Sequence, residues 1–408
     1  MSTTQVSEAG TIKQAAQDYW AKVKTGDIGP LAAILGLVVL CIVFGSMSPV
    51  FLTQGNFANL LTQAAAVIVI AMGLVFVLLI GEIDLSAGYA SGVCSAVLVI
   101  LVTKNDQPWY LALTASIIVG CVLGYLIGIL VARLGIPSFV VTLASFLAFQ
   151  GILLLLAGEG GTIRIEDKTV LAIENSNLSV SASWLFFIVV SAIYFLSGLA
   201  RINSRRKAGL KTELKKLWLI KTLALIGASG LAVLTLNLER SNNPDLVSLK
   251  GIPYVVPLIL AILVVGTFVL DRTAFGRHIY AVGGNAEAAR RAGINVKRIR
   301  IACFMICSAL SAIAGLIFAS RQNSVSPTTG GSSTLLYAVG AAVIGGTSLF
   351  GGKGKMRDAI LGGLVVAVID NGMGLLGYAA GIKFIVTGLV LLTSASVDAI
   401  SRRGVANS

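Results

Sequence analysis

Charge is scarce in this sequence. Asp, Glu, Lys and Arg make up 12% of its 408 residues, against about 25% in a soluble domain, and none occurs in the 54 residues from Ile28 to Gly81. Apolar residues reach 56%, more than a soluble core could hide. Histidine is almost missing: His278 is the only one, which leaves no convincing catalytic triad or zinc-hydrolase site. The five cysteines (Cys41, Cys94, Cys121, Cys303 and Cys307) all lie inside apolar stretches, which argues against a disulfide framework. Cys303 and Cys307 stand at i, i+4, but no His or carboxylate nearby completes a metal site, so both are assigned to packing.

What the chain has instead is a series of long apolar runs. A bilayer core takes roughly 20 mostly apolar residues per helix, and twelve stretches qualify: 31–51, 60–80, 85–103, 109–132, 136–157, 183–199, 218–237, 252–270, 301–320, 334–350, 359–377 and 384–401. Lipid offers the backbone no hydrogen-bond partner, so spans are helices or closed barrels, and the alternation of a barrel is absent. The expected fold is an all-α polytopic membrane bundle of about 12 spans, 10 to 12 in all. Residues 334–350 are the weakest span, since Gly345-Gly346-Thr347-Ser348 also suits a re-entrant loop.

Basic residues orient the bundle. With the N-terminus inside and twelve crossings, 24 of the 31 Lys and Arg residues face the cytoplasm, as the positive-inside rule requires, and both termini are cytoplasmic. The net charge of +13 is then a topological signal for a membrane, with lipid as partner and no nucleic acid. The expected organisation is a cytoplasmic tail over 1–30, a transmembrane body over 31–401 and a short cytoplasmic tail over 402–408. No secretory signal is read, because the first apolar stretch outruns an h-region. Within residues 11–24, Ile12, Ala16, Tyr19 and Val23 share one helical face beside Lys13 and Lys24, a candidate interfacial helix. Trp20 lies in it, while Trp109, Trp184 and Trp218 open predicted spans and read as interfacial anchors. Gly120, Gly124 and Gly128 repeat at a spacing that lets helices approach closely, within one chain or between copies.

No engine is visible. The stretch from Gly345 to Lys355 is glycine-rich but lacks the spacing of a phosphate-binding loop, so the chain has no ATP site, cofactor or metal of its own. A relay of carboxylates and imidazoles at membrane depth is also lacking, although each such group would be costly there, at about 2.5–3.5 kcal/mol.

Three polar constellations remain. In Gly81-Glu82-Ile83-Asp84-Leu85-Ser86-Ala87-Gly88, Asp84 or Ser86 either caps the following helix or serves a passage. In the basic loop 271–300, the run from Ala281 to Ile294 holds a good helix former, Glu287 to Arg291, bracketed by glycines. It suits either a docking helix or a solvated loop helix. Asp370-Asn371-Gly372 interrupts the eleventh span, so a polar passage or a buried interhelical bond must satisfy it.

Together these motifs resemble the permease subunits of bacterial carbohydrate importers of the ATP-binding-cassette class, the ribose/xylose/galactoside type. The likeness runs from about residue 55 onward and includes Pro137 to Leu143, Ile344 to Leu349 and Asp370 to Met373. Spans six and seven, with their basic loop, look like the extra pair of the xylose branch.

The resemblance implies a multi-pass protein of the bacterial cell membrane that is not itself an enzyme. Its implied partners are a separate ATPase subunit carrying ATP and magnesium, an extracytoplasmic sugar-binding protein, a second permease copy forming a homodimer, and a monosaccharide substrate, D-xylose first. It places the ATPase-coupling loop at Gly283, Gly284, Asn285, Glu287, Ala288, Ala289, Arg290, Gly293 and Ile294, where the first half of the class-wide coupling motif is matched and the second half is not. Candidate pathway residues are Glu82, Asp84, Ser86, Ser138, Thr142, Asp370 and Asn371. The rival reading is a self-sufficient, ion-coupled secondary sugar transporter.

Overall fold

The computed structural model describes residues 31–158, 160–209 and 215–406, with side chains described as far as Ser396. The candidate interfacial helix of residues 11–24 and Trp20 lie outside the described residues.

The elements are α1 (Leu31–Met47), α2 (Gln54–Leu79), α3 (Ala87–Thr103), α4 (Trp109–Ala132), α5 (Ser138–Ala157), β1 (Ile163–Arg164), α6 (Lys168–Asn175), α7 (Val180–Lys207), α8 (Lys215–Leu236), α9 (Val255–Arg272), α10 (Ala274–Gly284), α11 (Ala286–Arg291), α12 (Val296–Gln322), β2 (Ser324–Val325), α13 (Ser332–Ile344), α14 (Met356–Leu375) and α15 (Ala380–Ala406). The strands form a two-residue antiparallel ladder, Ile163 facing Val325; otherwise the chain is helical, as its runs predict. All twelve predicted stretches fall on helices. Eight of these helices (α2, α4, α5, α7, α8, α9, α12 and α14) are long and apolar enough to cross a bilayer, while α1, α3, α13 and the apolar part of α15 are shorter.

The described residues divide into two compact units, residues 177–252 with 400–406, and residues 31–176 with 253–399. In the larger unit α12 packs against α4, α2 and α3, and α14 against α13, α2 and α1. From Ala64 onward the α2 helix is apolar all round, which suits only a fully enclosed position, and from Ala64 to Ile80 every residue but Val67 is buried. The glycine row of α4 serves this packing. A Cβ on Gly120, Gly124 or Gly128 would meet the α12 backbone at Ser308, Phe304 and Ile301 respectively, so the row forms an intrachain helix contact.

The tenth predicted span is shorter than expected. The α13 helix ends at Ile344 after 13 residues, about 20 Å, because Gly345-Gly346 starts an irregular stretch in which Gly346 has φ 118°. Thr347 and Ser348 are nevertheless buried.

In the smaller unit α7 and α8 form a hairpin. Trp218 lies across Gly198 and stacks near Phe195, ring centroids 5.4 Å apart. Beyond α8 the Glu239 carboxylate accepts from the Leu249, Ser241 and Arg240 amides and the Ser248 hydroxyl, and these bonds hold it down at about 2.

Candidate functional site

Polar side chains gather at both ends of α2. Along this helix Asn56 and Leu79 are about 35 Å apart, and the two polar groups are accordingly separate.

At the C-terminal end α2 stops at Leu79 and the chain turns through Gly81, φ 75°. Asp84 is wholly buried, and its Oδ1 accepts from the Ser86 amide at 2.8 Å and the Ser86 hydroxyl at 2.6 Å. This closes a local turn ahead of α3, whose N-cap residue, Ser86, makes no side-chain bond to the amides of the first turn. Among the described residues no hydrogen bond of good geometry reaches Oδ2 of Asp84, and the Cys307 thiol is the neighbour of this carboxylate. Ser138 and Thr142, one turn apart at the start of α5, hold the next peptide: the Ile83 amide donates to Ser138 Oγ at 3.2 Å, and Thr142 Oγ1 donates to the Ile83 carbonyl at 3.3 Å. Glu82 points elsewhere and pairs with Arg300 at 3.0 Å.

The basic loop lies against this break. Thr273 caps α10 and Asn285 caps α11 through its Oδ1, which accepts from the Ala288 amide at 2.9 Å. Gly293, φ 85°, ends the unit, and the Ile294 amide returns to the Ala289 carbonyl. Ala289 is the buried residue of α11. Glu287, Arg290 and Arg291 are exposed and pair with each other at 3.1 and 3.5 Å, surface contacts worth about 0–1 kcal/mol each. Gly284 meets open space, whereas Gly283 sits hard against the Leu79 carbonyl and the Gly352 amide. Tyr280 donates its hydroxyl to the Gly354 carbonyl at 2.8 Å, and burial pushes it up to about 12.

At the other end of α2, Asn371 and Asn56 exchange two amide hydrogen bonds, each 2.9 Å, and both are buried. Gln63 donates to Asp370 Oδ2 at 2.6 Å, and Lys383 of α15 lies 3.5 Å from Oδ1. Thus the Asp370-Asn371 pair finds interhelical partners on α2 and α15. Of the sequence-derived pathway candidates, Asp84 bonds Ser86, and Ser138 and Thr142 bond the adjoining Ile83 backbone; Glu82 pairs with Arg300 of α12, and Asp370 and Asn371 stand at the opposite end. Sequence reasoning missed Asn56, Gln63, Arg300, Tyr280 and Lys383. Asn56 and Gln63 are seven apart and share one face of α2, but Asn59 and Thr62 are polar in the same stretch, so spacing alone did not single them out.

Comparison with known proteins adds identity to this geometry. Residues 56–395 match a family described as branched-chain amino acid transport system / permease component. The chain belongs to this permease family. It is 37% identical over 355 residues to the xylose transport system permease protein XylH of Escherichia coli K12, covering 86% of this chain and 87% of the relative. To XylH of Haemophilus influenzae it is 32% identical, covering 94% of this chain and 99% of the relative. To the ribose import permease protein RbsC of Escherichia coli K12 it is 27% identical, covering 90% and 92%. No solved structure matches. The permease is therefore a multi-pass membrane transport component, and its buried polar groups belong to a protein that moves a solute rather than one that transforms it.

Proposed function

We propose that this chain is the membrane permease subunit of an ATP-binding-cassette importer of a monosaccharide, D-xylose first, in the bacterial cell membrane. The carrying observation is its likeness to xylose permeases over nearly the full length of both chains. The structure supplies a self-capped exposed helix, α11, on a basic loop seated against the α2–α3 break. Residues 283–294 would meet a separate ATPase subunit that carries ATP and magnesium. A secreted sugar-binding protein would deliver the sugar from outside, and a second copy of the permease would complete the passage.

The division of labour follows from chemistry. A proton-coupled transporter needs a titratable relay and an ATP-driven one a nucleotide site, and the sequence motifs show neither. Nucleotide state on the partner would instead select between two conformations through its differing contacts with the loop. Asp84, Ser86, Ser138, Thr142, Asp370 and Asn371 are proposed for the pathway, where short polar side chains could exchange their mutual bonds for sugar hydroxyls.

The test is uptake of radiolabelled D-xylose by proteoliposomes. With ATPase subunit, binding protein and ATP present, xylose accumulates and excess ribose competes weakly. The permease alone, given any ion gradient, accumulates none; accumulation there would establish the secondary transporter instead.

A further inference from the structure

The basic loop is fastened to the bundle at more points than its two flanking helices. Gly283 of α10 lies so close to the Leu79 carbonyl and the Gly352 amide that no side chain fits. The Gly352 amide donates to that same Leu79 carbonyl at 2.9 Å. Tyr280, one turn earlier on α10, bonds the Gly354 carbonyl. Arg300, on the first turn and a half of α12, pairs with Glu82 at 3.0 Å, with side chains 30% and 13% exposed. The Glu287 pairs of α11, by contrast, are at least half exposed. A shielded pair is less weakened by solvent and salt than a surface pair. Finally, Ile83 is held between Ser138 and Thr142 of α5.

These contacts join α10, the 350–354 loop, the end of α2, the start of α12 and the start of α5 around residues 79–86, the one non-helical link between α2 and α3. We propose that they form a mechanical joint, in which Glu82 and Arg300 are positioning residues that carry displacement of α11 to the 81–86 break and so to the α5 end of the passage. The proposal rests on the reading of α11 as the ATPase contact and adds to it the route by which the push arrives. Packed and bonded contacts transmit such a push because they have discrete arrangements, while a solvated loop would absorb it.

The experiment uses the permease co-reconstituted with its ATPase and binding protein, with labelled D-xylose as probe. Glu82→Gln and Arg300→Gln should each lower uptake by about tenfold or more while the ATPase subunit still co-purifies and still hydrolyses ATP, an uncoupling within the usual range of coupling energies. The exchanged double variant, Glu82→Arg with Arg300→Glu, should regain much of the uptake. Tyr280→Phe, which deletes one hydroxyl and leaves the ring, should uncouple in the same direction to a smaller degree. Wild-type uptake in both single variants would overturn the joint while leaving the docking role of α11 intact. Loss of the ATPase subunit from those variants would also overturn it, since the pair would then serve docking. Failure of the wild-type complex to take up xylose with ATP would remove the functional reading itself, and the joint with it.

Discussion

At the scale of single residues, the polar groups divide by whether a partner reaches them. Asn56 and Asn371 exchange two hydrogen bonds, and their amide nitrogens also donate to the Phe51 carbonyl and to Gln63 Oε1, which is the arrangement that makes amides tolerable away from water. Glu174 of α6, outside the long helices, is buried, and among the described residues neither carboxylate oxygen has a hydrogen-bond partner. Arg321, the cation that acts on it, donates to Thr62 and Asn59. Burial therefore pushes Glu174 up to about 8, with Arg321 pulling weakly the other way, from an ordinary value of 4.5. A carboxyl that is easier to ionise unfolded than folded costs nothing below about 4.5; its cost grows as pH rises toward about 8 and is complete above it. Glu174→Gln should thus raise the melting temperature of the detergent-solubilised protein more at about pH 9 than at about pH 5. A difference that stays flat with pH would show that the carboxyl is already ionised in the fold.

At the scale of elements, close helix packing depends on glycine where backbone faces backbone. A Cβ on Gly124 would strike the Phe304 carbonyl and lie 2.7 Å from the Met305 Cα; no flexible side chain can give way, so α4 and α12 must separate. Gly151 of α5 has nothing within 4 Å, and alanine there gains intrinsic helix propensity, roughly 0.5–1 kcal/mol. Gly124→Ala should destabilise the protein by about 1–3 kcal/mol, as overpacked cores do, and Gly151→Ala should be neutral or stabilising. Equal behaviour of the two in thermal unfolding would refute the packing account. The periodicity of these glycines was readable in the sequence, but their partner was not, because a spacing of four defines a face and leaves open what lies against it. The same limit applied to Glu82, whose partner Arg300 is 218 positions away, and to the short α13, whose apolar run continues past the glycines that end the helix.

At the scale of the whole molecule, the α7–α8 hairpin is an insertion with a closed base. Leu178 and Ile252 are hydrogen-bonded at its root, and the Tyr254 amide donates to the Ser176 carbonyl, so the chain leaves and re-enters at one place. Replacing residues 177–252 with a short Gly-Ser linker removes an even number of crossings and should leave a monodisperse protein that still binds its ATPase partner, as judged by size-exclusion chromatography and co-purification. Aggregation of that variant would show that the hairpin supports the core. The membrane class, the helices, the polar interruptions and the family resemblance were all written in local composition and spacing, which lipid reads directly because it rewards continuous apolar runs and penalises every unpaired backbone group. Which interruptions meet was settled by packing. Ile83, beside Asp84, joins Ser138 and Thr142, Asp370 joins Gln63 and Lys383, and the basic loop seats on Leu79, because these contacts link residues far apart in the chain and depend on how whole helices stack, a property that no local pattern encodes.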